Sequence, residues 1–181
     1  MDHLLKRIIG TDGFLEDVKK NWTAQINADD DGMPVEQLDV YFNQAVRISS
    51  NTNVPDDKGM FVLVAEDDET LSYDAMCYIN HAFVKNELRV VNIYLAPRFD
   101  DREHMQINIA RVFAHLLSRF VSLARHGKWQ SSSLKMYLPD TEFRNFASLF
   151  ASQLQLQTHV LGVEIIGNWL HISGLDTLQD T

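Results

Sequence analysis

The sequence predicts an α+β fold, and three observations carry that prediction. Residues 88–96, Leu-Arg-Val-Val-Asn-Ile-Tyr-Leu-Ala, are rich in β-branched and aromatic side chains and are stopped by Pro97, so they read as a strand. This strand lacks a polar face of its own, which places it inside a sheet. Downstream, Ile109, Val112, Phe113, Leu116, Leu117, Phe120, Leu123 and Ala124 fall on one helical stripe, with Arg111, His115, Arg119, Ser122 and Arg125 opposite. Upstream, residues 60–65 and 71–84 read as two more strands. They turn through Glu66-Asp67-Asp68-Glu69 and Lys85-Asn86-Glu87, which gives a three-stranded antiparallel meander.

Each remaining element has its own signal. Leu4, Leu5, Ile8 and Ile9 fit either a short helix or an edge strand before Gly10. Phe14, Val18, Trp22 and Ile26 recur every fourth residue and predict a helix over 12–28. A second helix follows Pro34, with Val35, Leu38, Phe42, Ala45 and Val46 inward. Residues 49–57 are loop by composition and could serve as a lid. Asp100 or Asp101 caps the long helix, and Arg125-His126-Gly127 ends it. Residues 134–138 form a short strand, and Pro139-Asp140 opens a helix with Phe143, Phe146, Ala147, Phe150 and Leu154 inward. Val160, Leu161, Val163, Ile165 and Ile166 lead through a Gly167-Asn168 turn into residues 169–172, a hairpin.

Composition narrows the function. The chain has 181 residues, 45% of them hydrophobic, which suits one domain over 1–181 with fraying expected at 1–10 and 176–181. The net charge of −9 argues against broad nucleic-acid binding, because phosphate contacts need clustered cations. Cys77, the single cysteine, lies in an apolar run and reads as a buried hydrophobe in a reducing compartment. No apolar run approaches bilayer length and the N-terminus has no signal-peptide pattern, so the expectation is a cytoplasmic protein without membrane contact.

Most catalytic signatures are missing from the sequence: no Gly-x-Ser-x-Gly, no phosphate loop and no His-Glu-x-x-His. Asn27-Ala28-Asp29-Asp30-Asp31-Gly32 imitates the start of a calcium loop, but Leu38 stands where the bidentate Glu is needed, so no metal is expected.

Set end to end, the order is helix, helix, three antiparallel strands, long helix, strand, helix, hairpin. With the string Val91-Asn92-Ile93-Tyr94-Leu95-Ala96-Pro97-Arg98-Phe99, this resembles the GNAT (GCN5-related N-acetyltransferase) superfamily from about Phe14 to Ile172. The resemblance implies a mixed, mostly antiparallel sheet with helices on both faces. It also implies acetyl-CoA or another acyl-CoA along Ile93, Tyr94, Leu95 and Ala96, with its diphosphate near Arg98, Arg102, His104 and Met105. The loop after the strand, residues 100–108, departs from the family pattern in carrying no glycine but three carboxylates. The family's proton-donating tyrosine position falls on Ala147, which leaves Tyr137 and Tyr94 as substitutes by location. Glu66 and His81 are the candidate bases, directly or through water. The implied reaction moves an acyl group to the amine of a small molecule or of a lysine-bearing protein. The alternative is a binding or assembly module that has lost this chemistry, and a homodimer stays open.

Overall fold

The computed structural model describes residues 2–10, 12–27, 33–50, 57–66, 71–100, 105–157 and 162–175. Seven strands form one sheet: β1 (Asp2–Arg7), β2 (Lys58–Glu66), β3 (Leu71–Ala82), β4 (Glu87–Leu95), β5 (Ser133–Tyr137), β6 (Gly162–Ile166) and β7 (Trp169–Ser173). Their spatial order is β1-β2-β3-β4-β5-β7-β6. Every neighbouring pair is antiparallel except β4 with β5. The helices are α1 (Phe14–Asn27), α2 (Val35–Ser49), α3 (Met105–Arg125) and α4 (Thr141–Gln157). The α+β class, the meander and the hairpin are as the sequence predicts, and within the ambiguous residues 1–9 the segment Asp2–Arg7 is an edge strand.

Two apolar clusters, one on each side of the sheet, hold the layers together. On one side α3 and α4 bring Phe113, Leu116, Phe120, Phe143 and Ala147 onto Ala75, Cys77, Leu88, Val90, Leu134 and Leu170. On the other, α1 and α2 bring Phe14, Val18, Trp22, Leu38 and Phe42 onto Met60, Val62, Tyr73 and Met76. Trp22 is fully buried, and its indole N–H donates to the Tyr73 carbonyl at 2.9 Å. The starts of α1 and α4 follow their signals. Asp12 Oδ1 accepts the Phe14 N–H at 3.1 Å, and Asp140 Oδ1 accepts the Phe143 N–H at 2.9 Å. Gly167 has φ 60°, which the tight turn between β6 and β7 requires.

Two irregularities of register depart from simple alternation. Leu63 pairs with Ala75 but Val64 with Tyr73, so Asp74 is an extra residue in β3. Tyr73 therefore joins the α1/α2 cluster instead of sharing a face with Ala75, Cys77 and Ile79. Likewise Tyr78 pairs with Asn92 but Ile79 with Val90, which makes Val91 the extra residue of β4. The bulge sits ahead of residues 93–96, which line the cleft described below.

Burial pushes the Cys77 thiol pKa well up, which leaves it a protonated, inert core side chain. The expectation that no run reaches bilayer length needs amending: Ile107–Arg125 is 19 residues long with a mean hydropathy of 1.2, enough to cross a membrane by length and composition. Its apolar stripe is packed against the sheet.

The two ends of α3 should respond differently to truncation. Phe120 is fully buried, and Phe120→Ala is expected to cost about 3–5 kcal/mol. Ile107 is 72% exposed, and Ile107→Ala should change stability by less than about 0.5 kcal/mol. Urea unfolding of both variants checks this.

Candidate functional site

The site arises where a strand pair runs out. β4 has nine residues and β5 five, and the parallel ladder covers only Glu87–Val90 against Ser133–Met136. After Tyr137 the chain turns at Pro139 into α4, while β4 continues to Leu95 alongside β3 alone. Pairing to β3 sets the direction of each β4 amide. The Ala96 N–H donates to the Asp74 carbonyl at 2.9 Å, so by strand alternation Tyr94 also faces β3. The N–H and C=O groups of Ile93 and Leu95 then face the gap, where β5 gives them no partner. The architecture is GNAT-like.

The gap opens into a cleft of about 290 Å³. Ile93, Leu95, Ile109 and Phe143 wall it on the α3/α4 side, Tyr94, Tyr41 and Met33 on the other, so it communicates with both faces of the sheet. Asp100, Asp140 and Glu142 add carboxylates to its lining. Tyr94 is held firmly: its ring stacks on Tyr41 at 4.2 Å, its hydroxyl donates to Gln44, and it accepts from Asn92 Nδ2 at 2.9 Å. Burial raises its pKa, with Asn92 opposing and Tyr41 adding to the rise, so this phenol stays protonated and forms a wall.

The residues expected at the site fare differently. Ile93, Tyr94, Leu95 and Ala96 come together along the cleft. Tyr137 is the first residue of β5 beyond the ladder, at the fork of the split. Its half-buried ring lies edge-on to Trp169 at 5.3 Å, and its hydroxyl has no partner among the described residues. Glu66 is exposed at the same end of the sheet, two strands away from β4. His81 is not brought to the cleft. It pairs with Leu88, seven residues back along β4 from Leu95 and so roughly 23 Å away. There it is buried beside Phe83 and Trp129, neither ring nitrogen has a hydrogen-bond partner, and burial lowers its pKa against an opposing pull from Asp57. A core histidine at the far end of the strand replaces the expected base.

At the end where the resemblance implies a diphosphate, Arg98 is engaged. Its guanidinium bonds to the buried Asp74 carboxylate and to Ser72 Oγ, the latter at 3.1 Å. Met105 begins α3, while Arg102 and His104 lie outside the described residues, as do residues 28–32 of the calcium-like segment. Among the described residues no group of three or more His, Cys, Asp or Glu could hold a metal ion.

Sequence reasoning missed Asp74 and Glu87, two buried carboxylates in strands. Asp74 also meets His3 Nε2 at 3.3 Å, and His3 stacks on His115 at 3.6 Å. Glu87 takes Arg89 Nε at 2.6 Å and Lys135 Nζ at 2.9 Å. Burial opposes ionisation of Glu87, but the bonds to Lys135 and Arg89 more than offset this, and its pKa falls below the usual value. A lone acid inside an apolar strand run, as in Tyr73-Asp74-Ala75-Met76-Cys77, was the available signal.

No family model and no curated protein sequence matches the chain. Among solved structures it is similar to aminoglycoside 6'-acetyltransferase type Ii, at 8% identity over 93% of this chain and 94% of that one, with a TM-score of 0.45. It is also similar to Tetrahymena GCN5, at 13% identity over 96% of each chain and a TM-score of 0.39. A third is PaiA N-acetyltransferase from Thermoplasma acidophilum in complex with coenzyme A, at 12% identity over 95% and 98% and a TM-score of 0.36. Both measures are low, and the GNAT-like architecture stands on the sheet order and the split themselves.

Burial lowers the pKa of His81, His115 and His171 below the ordinary histidine value. As pH falls below about 6.5, the unfolded chain takes up protons that the folded chain resists, so stability present above that pH is progressively lost. Glu87, shifted down, gives way only at lower pH still. The melting temperature should therefore fall by several degrees between pH 7 and pH 5. A flat profile from calorimetry across that window would contradict the assignment.

Proposed function

We propose that this protein is a GNAT-like N-acyltransferase that moves an acyl group from an acyl-CoA to an amine. The observation that carries the reading is the split itself: two successive gap-facing amides, Ile93 and Leu95, beside a cleft open to both sheet faces. An acyl thioester, when bound there, supplies the activated acyl group.

The chain's own groups fit the cofactor's arm well. Ile93 and Leu95 offer N–H and C=O groups to its amides, which take the place an extended β5 would fill. An N–H near the fork can polarise a carbonyl oxygen as negative charge develops on it. Tyr137 holds a proton at Oη by the fork, within the region where a departing thiolate needs one. The amine approaches from the α1/α2 side, past Tyr94 and Tyr41, and loses its proton to solvent, since Glu66 lies two strands from β4, about 10 Å across the sheet and beyond a single bridging water. The carboxylates of Asp100, Asp140 and Glu142 favour a positively charged amine. Fit is poorest at the diphosphate end, where Arg98 is already paired with Asp74 and Asp100 is a further negative charge.

Thermal melting with acetyl-CoA tests the reading. At a hundredfold excess over the dissociation constant, binding should stabilise by about 2.7 kcal/mol, raising the melting temperature by roughly 5–10 °C. Leu95→Pro removes one gap-facing N–H and leaves the bonds to β3 in place, and it should abolish the shift. Leu95→Ala keeps the N–H and should retain it. No shift in the unaltered protein would leave a GNAT-like scaffold without the chemistry.

A second measurement addresses the acid. Tyr137→Phe is expected to lower kcat about a hundredfold with KM for acetyl-CoA unchanged, since the hydroxyl acts only as the bond to sulfur breaks. An unchanged kcat removes Tyr137 from this role.

A further inference from the structure

On the sheet face turned away from α3 and α4, one residue from each of four adjacent strands falls into a lateral row. Arg89 of β4 pairs with Lys135 of β5, Lys135 with His171 of β7, and His171 with Glu164 of β6. Their neighbours Leu134, Met136, Leu170 and Ile172 point into the α3/α4 core, which fixes this row on the other face. Helices α1 and α2 pack on β3 and β2, toward the far side of the sheet.

Arg89, Lys135, Trp169 and His171 line a pocket of about 250 Å³ here. Beneath it Glu87, 5% exposed, binds Arg89 Nε and Lys135 Nζ together. This one carboxylate does two things. It immobilises two long cationic side chains before any ligand arrives, and it neutralises only one of their two charges. The Nη nitrogens of Arg89 have no partner among the described residues. They form a donor edge of the kind that binds a carboxylate through two parallel hydrogen bonds. Burial and the adjacent Lys135 keep the His171 pKa low, against the pull of Glu164 and Glu87, which makes the imidazole a neutral wall at pH 7. The half-buried indole of Trp169 supplies an apolar flank. In a chain of net charge −9, this pocket has the opposite sign to the carboxylates of the cleft.

We propose that this pocket binds the carboxylate of a small organic acid, with the acid's apolar body against Trp169. Resting on the transferase reading, the acid is the acceptor itself: an amine that also carries a carboxylate. Tyr137, at the fork, lies two residues beyond Lys135 on the same face of β5, roughly 7 Å along the strand. An acceptor anchored at Arg89 and Lys135 thus extends its amine toward the split, where the carboxylates of the cleft attract it.

The test uses the full chain labelled with nitrogen-15 and titrated with benzoate, with sodium chloride at matched ionic strength as control. Benzoate should shift the Trp169 indole and Arg89 Nε resonances saturably in the millimolar range or below, and chloride should not. Arg89→Gln should weaken binding about tenfold or more, the loss expected for removing hydrogen bonds to a charged group. Lys135→Gln retains the Arg89 fork and should weaken binding less, which gives a second readout if Arg89→Gln folds poorly. Absence of a saturable shift, equal binding by both variants and the unaltered protein, or tighter binding of inorganic phosphate would each overturn the proposal. No acyl-CoA enters this titration. Benzoate binding without an acetyl-CoA melting shift keeps the pocket and removes the transferase reading, and the reverse result removes only the pocket.

Discussion

The parallel pairing of β4 with β5 is the constraint on which the rest of the molecule depends, because it stops after four residue pairs. A central strand buried on both faces normally has its amides matched by both neighbours, since each unmatched group costs free energy. Pro139 and the Asp140 cap take the chain into α4 at the point where β5 could have gone on pairing. The cost of that early departure falls on Ile93 and Leu95, which line a cleft together with residues of α3 and α4. The gap follows from where the ladder ends, so it is a property of topology.

Buried carboxylates determine how charge is distributed around that gap. Asp74 draws Arg98, Ser72 and His3 together near the start of β3, and Glu87 draws Arg89 and Lys135 together at the start of β4. Each is the extra or terminal residue of its strand, where the ladder leaves room for a charged side chain. The outcomes differ in sign of use. Asp74 pairs with Arg98, whereas Glu87 orders two cations and leaves part of their charge available.

The helices and the hairpin were legible in the sequence because each rests on local periodicity and local capping. Phe14, Val18 and Trp22 mark α1 without reference to any other element, and Gly167-Asn168 marks the turn by its required backbone angles. Central placement of β4 was legible for the same reason, from its lack of polar alternation. The bulges at Asp74 and Val91 were not, since an inserted residue shows only when two strands are aligned. The first of them puts Tyr73 on the face opposite Ala75. The distance of His81 from the cleft, and the row from Arg89 to Glu164, depend on lateral register between strands far apart in the chain, to which a single strand's pattern is blind. Tyr137 was found by position in the chain, and its place at the fork follows from where β5 stops pairing.

The burial of Cys77 has a practical consequence. With no accessible surface and its thiol held protonated between β2 and β4, the side chain meets an alkylating reagent only when the sheet opens. Modification of this sole sulfhydryl therefore clocks the separation of the middle strands, free of competing sites and without any introduced label.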